Sequence, residues 1–206
     1  MADIQGLLKK YKGISGERFF AEVFENDEYA PARDVKADVV IDVGACAGEF
    51  SAYIYDKARV IFALEPYREH YNELCDNVDE FGMDKVIPIN LALSDYNGDG
   101  SLVITGRGGH KLIKGHGSDK TETVKVLTLA QFMKDHGIDH VDVLKIDVEN
   151  GEGAIFNSQD FKEVAPHIDF IIGEHIADLQ DLFENLGYKT RSFPNNKNVV
   201  FQRNYA

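Results

Sequence analysis

Short apolar runs alternate with amphipathic segments along most of the chain, and this alternation predicts a layered α/β fold. The apolar runs have the length and composition of strands buried on both faces of a parallel sheet. They are Val39–Val43, Arg59–Leu64, Val86–Asn90, Val141–Ile146 and Ile168–Gly173. Segments with apolar residues at helical spacing separate or follow them, namely Glu49–Lys57, Tyr67–Phe81, Leu129–His136, Glu152–Asn157 and Ile176–Leu186. Since strand, helix and parallel strand form a right-handed unit, this order predicts a doubly wound sheet.

Both ends of the chain depart from this alternation. Residues 1–36 predict an N-terminal helical cap, with helices at Ile4–Tyr11 and Glu17–Glu25 and a connector at Tyr29–Lys36. Residues 37–206 then form one core domain, and Tyr188–Ser192 with Asn198–Gln202 predict an antiparallel hairpin at its end. The expected architecture is therefore a mostly parallel sheet that closes with an antiparallel pair.

A segment between the third and fourth sheet strands predicts a β insertion. Asn97-Gly98 and Asp99-Gly100 are turn dipeptides, and Ser101–Thr105 and Thr123–Thr128 predict strands. Between these strands, Gly106–Lys120 is rich in Gly, Lys and His and predicts a long loop, either a binding loop or a surface loop.

Composition narrows the class of protein. At 206 residues and 44% hydrophobic content, the chain has the size and core of one globular domain. No apolar run approaches the ~20 residues of a membrane span, and the first residues lack a signal-peptide block, so we expect a soluble, cytoplasmic protein with no membrane partner. Two cysteines do not make a disulfide framework, and no Cys/His cluster has zinc spacing. A net charge of −13 disfavours a nucleic-acid partner.

A glycine-containing loop follows the first sheet strand and opens the first core helix. Its sequence runs from Asp42 to Gly48 as DVGACAG, and ligands of open α/β sheets bind at such a place. Gly44 permits unusual dihedral angles and close approach, Gly48 lets the helix begin tightly, and the helix N-terminus offers N–H groups to a carboxylate. The spacing lacks the central glycine with which the dinucleotide fingerprint approaches a pyrophosphate, which argues against a pyrophosphate ligand. The anionic Asp42 instead suits a ligand with a cationic amino-acid group. Asp42, Gly44, Ala45 and Gly48 are therefore predicted ligand-binding residues.

The ends of the next two strands supply further candidates. Glu65 ends the second strand, where an acidic side chain accepts both hydroxyls of a ribose, and Pro66 follows it. After the third strand, Ala92, Leu93 and Ser94 are candidates to line an adenine slot. Each feature alone also fits an ordinary turn or strand end, and together they predict an adenosine site.

These segments resemble the FkbM family of S-adenosylmethionine-dependent methyltransferases. The matching pieces, in family order over residues 38–190, are VIDVGACAGEF (40–50), FALEP (62–66), NLALSD (90–95), VKVLTLAQFM (124–133), VDVLKIDVENGE (141–152), IIGEH (171–175) and LGYK (186–189). The resemblance implies a Rossmann-like class I methyltransferase fold with a seven-stranded sheet, S-adenosylmethionine as cofactor, and O-methylation of a hydroxyl on a small molecule or a glycan. Cys46 stands where the family usually has Asn, and Asn150-Gly151 departs from the family's Gly-aromatic or Gly-Ala pair, which leaves the roles of Glu149 and Glu152 open.

Methyl transfer to a hydroxyl requires a proton acceptor near the ends of the fourth and fifth strands. We predict His175 as the base, with Asp147 orienting it or accepting the proton itself. Lys145 and Asp147 share one face of the strand, and Lys145 is a third candidate, although a buried ion pair of Lys145 with Asp147 or Glu149 is equally compatible. Asp147 also counts as a cofactor-binding residue.

Several alternatives are compatible with the same residues. Asp147, Glu149 and Glu174 are a candidate Mg²⁺ or Ca²⁺ cluster, although the favoured site contains no metal. A nucleotide-dependent oxidoreductase and a non-catalytic cofactor-binding or scaffold domain are the other functional classes. The sequence is compatible with a homo-oligomer.

Overall fold

The computed structural model describes residues 3–11, 21–105, 110–114, 121–149, 151–174, 176–192 and 198–203. The helices are α1 (Ile4–Tyr11), α2 (Ala30–Arg33), α3 (Glu49–Ile54), α4 (Arg68–Glu80), α5 (Leu129–Asp135), α6 (Glu152–Asn157), α7 (Gln159–Val164) and α8 (Gln180–Asn185). One π-helical turn (Ala21–Glu25) and two 3₁₀ turns (Ala165–His167 and Ala177–Leu179) accompany them. The strands are β1 (Ala37–Val43), β2 (Ala58–Leu64), β3 (Val86–Ile89), β4 (Ala92–Leu93), β5 (Gly98–Val103), β6 (Lys111–Lys114), β7 (Thr121–Leu127), β8 (Val141–Ile146), β9 (Ile168–Gly173), β10 (Tyr188–Ser192) and β11 (Val199–Arg203).

The main sheet has seven strands in the order β10-β11-β9-β8-β1-β2-β3. The five strands β3, β2, β1, β8 and β9 are parallel to one another, whereas β11 runs antiparallel to both β9 and β10. The predicted α/β fold with its closing antiparallel pair is confirmed. Val43 pairs with Leu64 on one side and with Ile146 on the other, so the carboxyl ends of three central strands lie level. The strand order reverses between β1 and β8, and open α/β sheets bind ligands at such a switch point.

Alternating side chains of the central strands supply two separate apolar layers. Val40 of β1 and Val143 of β8 belong to the layer that also contains α3 and α4, whereas Ile41 and Leu144 belong to the layer covered by α5 to α8. All four side chains are essentially inaccessible to solvent. A strand that buries both faces must be apolar at nearly every position, which is why the sequence shows continuous runs rather than alternation.

The β insertion forms a second sheet of four strands in the order β4-β7-β5-β6. Two predictions are corrected here. Asp99-Gly100 is not a turn but part of β5, and a Cβ at Gly100 would lie 2.6 Å from the Tyr96 hydroxyl, so a larger residue there would displace Tyr96. Part of the predicted Gly106–Lys120 loop is strand β6, which pairs with β5 from Gly100 to Val103. Residues 106–109 and 115–120 lie outside the described residues.

The segment Ala21–Arg33, here called the N-terminal strap, packs against α3. The Tyr53 hydroxyl donates to Asp27, and Arg33 donates to the Tyr53 carbonyl oxygen at 2.8 Å. The Asn198 amide, directly before β11, donates to the Glu28 carbonyl oxygen at 3.1 Å. The predicted helix Glu17–Glu25 falls partly outside the described residues, and its described end, Ala21–Glu25, is a π-helical turn. No helix within the described ranges has the length and apolar character needed to cross a membrane.

Candidate functional site

A cavity of about 440 Å³ opens at the carboxyl ends of β1, β2 and β8, at the switch point of the sheet. Its volume lies within the range of small-molecule sites. The predicted residues on its wall are Gly44, Ala45, Glu65, Pro66, Ala92, Leu93, Ser94, Lys145 and Asp147. Residues of the N-terminal strap and of β6 complete the wall. The structure therefore brings most of the sequence candidates to one crevice.

Gly44 forms the bend at the end of β1. Its φ of +76° lies in the left-handed region that favours glycine. A Cβ at Gly44 would lie 1.9 Å from the carbonyl oxygen of Asp147, so no side chain fits between the ends of β1 and β8. The predicted close approach exists, but the backbone that approaches belongs to the protein's own β8 end.

The N–H groups of residues 44–48 are all paired inside the protein. The acceptors are the Leu64 carbonyl oxygen for Gly44 and Ala45 (2.9 and 3.0 Å), a Glu65 oxygen for Cys46 (2.9 Å), a Glu49 oxygen for Ala47 (3.2 Å) and the Ala45 carbonyl oxygen for Gly48 (2.8 Å). These five N–H groups are therefore not free to bind a ligand carboxylate, and binding at the N-terminus of the helix itself stays a prediction.

Asp42 and Lys145 form a buried ion pair beneath the loop. The Lys145 Nζ lies 3.3 Å from Oδ1 of Asp42 and donates to the carbonyl oxygens of Gly44 (2.7 Å) and Val43 (3.3 Å). The Ser51 hydroxyl donates to the other Asp42 oxygen at 2.7 Å. Burial alone would lower the pKa of Lys145, but Asp42, Tyr29 and Asp147 together outweigh burial and raise that pKa, so the ammonium stays charged.

This ion pair corrects two predictions. Asp42 is fully buried and not on the cavity wall, so it neutralises Lys145 and does not contact a ligand. Lys145 does lie on the wall, but its ammonium already contacts the Asp42 carboxylate and two carbonyl oxygens. Gly48 is also absent from the wall. Its left-handed conformation begins α3 where a Cβ would lie 2.8 Å from Leu74 of α4.

Glu65 is held at the end of β2 by two hydrogen bonds and remains on the cavity wall. One oxygen accepts the Cys46 N–H at 2.9 Å and the other accepts the Tyr67 N–H at 2.8 Å. Each carboxylate oxygen has further acceptor capacity, so the oriented group suits a ligand with two adjacent hydroxyls. Burial raises the pKa of Glu65 to about 7, although the two N–H groups act in the opposite direction.

The wall beside Glu65 is largely apolar. Pro66, Ala92, Leu93 and Ser94 lie there, as predicted for an adenine slot. The Asn90 side-chain amide donates to the carbonyl oxygens of Glu65 and Pro66, both at 2.9 Å, and thereby fixes the end of β2 against the end of β3. The chain thus presents an apolar surface next to an oriented carboxylate.

The turn after β8 contains the other predicted polar residues. Asp147 and Glu149 lie on the cavity wall, and Glu149 has a φ of +55°, which is rare for a residue with a side chain. Glu152 is buried and accepts the Val148 N–H at 2.9 Å, so it holds the turn in place. Asn150 and the predicted base His175 lie outside the described residues.

Two functional candidates were not predicted from the sequence. Glu49, the first residue of α3, is 4% exposed and on the cavity wall, and burial raises its pKa to about 7. An acidic residue directly after the glycine loop was the available signal. Tyr29 of the N-terminal strap also lies on the wall, and nothing in its sequence context marks it.

Aromatic residues close the cavity on the side of the β insertion. The His110 ring lies 4.2 Å from the Tyr67 ring and 5.4 Å from the His70 ring, measured between centroids. His70 and His110 both line the cavity. Burial lowers the pKa of each, so both imidazoles are neutral at physiological pH.

The alternative metal cluster of Asp147, Glu149 and Glu174 is not supported. Among the described residues, the group with metal-ligand atoms within 4.8 Å of one another is His140, Asp142 and Asp169. These residues lie at the amino ends of β8 and β9, on the edge of the sheet opposite the cavity.

Comparisons with known proteins bear on this site. Residues 42–190 match the family model described as "Methyltransferase FkbM domain". No significant match was found among curated protein sequences. Among solved structures, an FkbM methyltransferase from Methylobacillus flagellatus KT is similar, with 13% identity and a TM-score of 0.57. The similarity covers 82% of this chain but 44% of that one, so this chain spans less than half the length of that protein.

Two further structures share the fold. The precorrin-6y C5,15-methyltransferase from Geobacter metallireducens GS-15 has 12% identity and a TM-score of 0.52, with 94% of this chain and 92% of that one covered. TrmK from M. capricolum, in complex with its natural cofactor product S-adenosylhomocysteine, has 12% identity and a TM-score of 0.50, with 86% and 68% covered. These identities show a common fold, and the family match covers most of the present chain. The chain therefore belongs to the FkbM family of methyltransferase domains.

Proposed function

We propose that the chain transfers the methyl group of S-adenosylmethionine to a hydroxyl of a small molecule or a glycan. The main support is Glu65, a buried carboxylate that two backbone N–H groups orient on the cavity wall. At the switch point of the sheet, an acceptor pair of this kind suits the two hydroxyls of a ribose.

The cofactor fits the residues of the cavity. Glu65 would accept the ribose hydroxyls, and Ala92 and Leu93, which line the apolar wall, would hold the adenine ring. The bend at Gly44 then directs the ligand from the end of β2 across β1 toward β8. Glu49 and Asp147 line this far part, where carboxylates favour a cationic ligand.

Bound S-adenosylmethionine supplies an electrophilic methyl group on a positively charged sulfur. Asp147 lies on the cavity wall at the end of β8 and accepts the proton of the acceptor hydroxyl as the new C–O bond forms and the C–S bond breaks. From its position in the sequence directly after Glu174, His175 is the second candidate for this proton. Alignment of the hydroxyl with the methyl group is itself worth several kcal/mol of the barrier.

Two features favour a small acceptor or a terminal sugar. The cavity is partly covered by the N-terminal strap and by β6, which leaves a pocket rather than an open face. Its far part carries Glu49, Asp147 and Glu149, and the chain has a net charge of −13, so a phosphate-rich acceptor is disfavoured.

A two-stage experiment tests the proposal. Calorimetry is first performed with S-adenosylmethionine and NADH, and we expect binding of the former alone. Next, hydroxyl-bearing sugars and small metabolites are incubated with methyl-labelled cofactor, and the products are analysed by mass spectrometry. Label on an oxygen supports the proposal. NADH binding without S-adenosylmethionine binding, or label on nitrogen or carbon only, would contradict it.

A further inference from the structure

The amino-acid end of S-adenosylmethionine carries a carboxylate, and the glycine loop and Lys145 already have protein partners for their donors. The N–H groups of residues 44–48 have protein acceptors. The Lys145 ammonium is directed at Asp42 and at the carbonyl oxygens of Val43 and Gly44. A hydrogen-bond donor for the ligand carboxylate is therefore to be sought beyond residues 44–48 and Lys145.

Tyr29 provides such a donor. Its side chain is 5% exposed, and its ring packs edge-on against Phe50 with 5.0 Å between centroids. It lies on the cavity wall, and its hydroxyl has no hydrogen-bond partner among the described residues. A hydroxyl on the cavity wall without a protein partner is available to donate to a ligand or to water.

The position of Tyr29 matches the amino-acid end of the ligand. The charged groups that act on its hydroxyl include Lys145, Asp147 and Glu174, which lie at the ends of β8 and β9. Glu65 lies at the end of β2, on the other side of β1. A ligand with its ribose on Glu65 that crosses Gly44 therefore extends toward Tyr29.

We propose that Tyr29 is a cofactor-binding residue whose hydroxyl donates a hydrogen bond to the carboxylate of the bound amino-acid group, so that the N-terminal strap forms part of the cofactor site. This inference rests on the proposed binding of S-adenosylmethionine. Tyr29 precedes residues 42–190, the part that matches the family model, so the family match does not assign it a role.

The electrostatic environment agrees with a donor role. Burial raises the pKa of Tyr29, although the Lys145 charge acts in the opposite direction, so the hydroxyl keeps its proton over the working pH range. The carboxylate of Glu49, also on this part of the wall, suits the ammonium of the same ligand.

The test uses two ligands and one matched control variant of the full chain. S-adenosylhomocysteine contains the amino-acid group, whereas 5′-methylthioadenosine lacks its carboxylate and ammonium. Calorimetry of Tyr29→Phe should show S-adenosylhomocysteine binding weakened by about tenfold to hundredfold. Affinity for 5′-methylthioadenosine should change by less than about twofold.

Tyr53→Phe is the control, because it removes a hydroxyl that anchors the strap through Asp27 but is not on the cavity wall. We expect it to retain wild-type affinity for both ligands. Equal losses in both variants, or an unchanged S-adenosylhomocysteine affinity in Tyr29→Phe, would overturn the assignment of Tyr29 alone. A wild-type chain that binds neither ligand would overturn the proposed function together with it.

Discussion

At the scale of single residues, the site buries two carboxylates, Glu49 and Glu65, whose direct partners among the described residues are backbone N–H groups. Glu49 and Glu65 both line the cavity, and burial raises the pKa of each to about 7. Burial deprives both carboxylates of solvating water, which destabilises the free protein. A positively charged cofactor would compensate for this loss, so the carboxylates favour its binding. Such raised values are typical of functional sites.

The first prediction concerns the pH dependence of stability at Glu49. Its proton is held more tightly in the folded state, so its contribution to stability is complete below pH 4.5 and is lost as the pH rises through about 7. At pH 8, Glu49→Gln should raise the free energy of unfolding by about 2 kcal/mol relative to wild type, and at pH 4.5 the difference should disappear. Urea unfolding at both pH values measures this.

A suitable comparison is Glu25→Gln, which changes an exposed glutamate of the strap. It should leave the unfolding free energy unchanged at both pH values. If Glu49→Gln shows no pH-dependent gain, Glu49 is not buried as a carboxylate.

The second prediction separates the two candidate bases. Asp147→Asn should lower kcat by ~10²–10⁴-fold if Asp147 accepts the proton, because the amide cannot. His175→Ala should produce the larger loss if His175 is the base, as the sequence predicts. Steady-state kinetics with an identified acceptor measures both, and calorimetry verifies that cofactor affinity changes far less than turnover. Retained activity in both variants would place the base elsewhere.

At the scale of secondary-structure elements, patterns that depend on local sequence were predictable and those that depend on distant contacts were not. The central strands were found because burial on both faces requires apolar runs, as at Val39–Val43. Strand β6 was missed because Lys111–Lys114 is short and half exposed, and pairing with β5 defines it. Asp42 was misassigned because only the register with β8 places Lys145 beside it.

The residues of the candidate site also divide into those that local sequence identifies and those that distant contacts place. Glu65 and Gly44 were identified since each lies at a strand end, where topology alone brings ligand-binding residues together. Tyr29 was missed because a connector segment has no periodicity, and its place on the wall depends on packing against Phe50 of α3.

The third prediction tests the junction between β1 and β8. Gly44→Ala combines a left-handed φ with a Cβ 1.9 Å from the Asp147 carbonyl oxygen, so it should destabilise the fold by more than about 3 kcal/mol. Gly82→Ala is the matched control, since Gly82 has a φ of +63° but open space around its Cβ. It should lose only about 1–2 kcal/mol. Equal losses in urea unfolding would mean that β1 and β8 do not meet as closely as described.

At the scale of the whole molecule, charge limits the choice of acceptor. With a net charge of −13, the chain repels a phosphate backbone over distances near the Debye length. The fourth prediction is that transfer RNA binds no more tightly than ~10⁻⁴ M at physiological salt, as measured by filter binding. Micromolar binding that weakens steeply with salt would instead reveal a basic surface and a nucleic-acid acceptor.

The proposed function depends most on an adenosine held between Glu65 and the bend at Gly44. A crystal structure with S-adenosylhomocysteine measures this directly. We expect both ribose hydroxyls within hydrogen-bond distance of the Glu65 carboxylate, with adenine against Ala92 and Leu93. A ligand bound elsewhere, with Glu65 contacting only the Cys46 and Tyr67 N–H groups, would contradict this cofactor site.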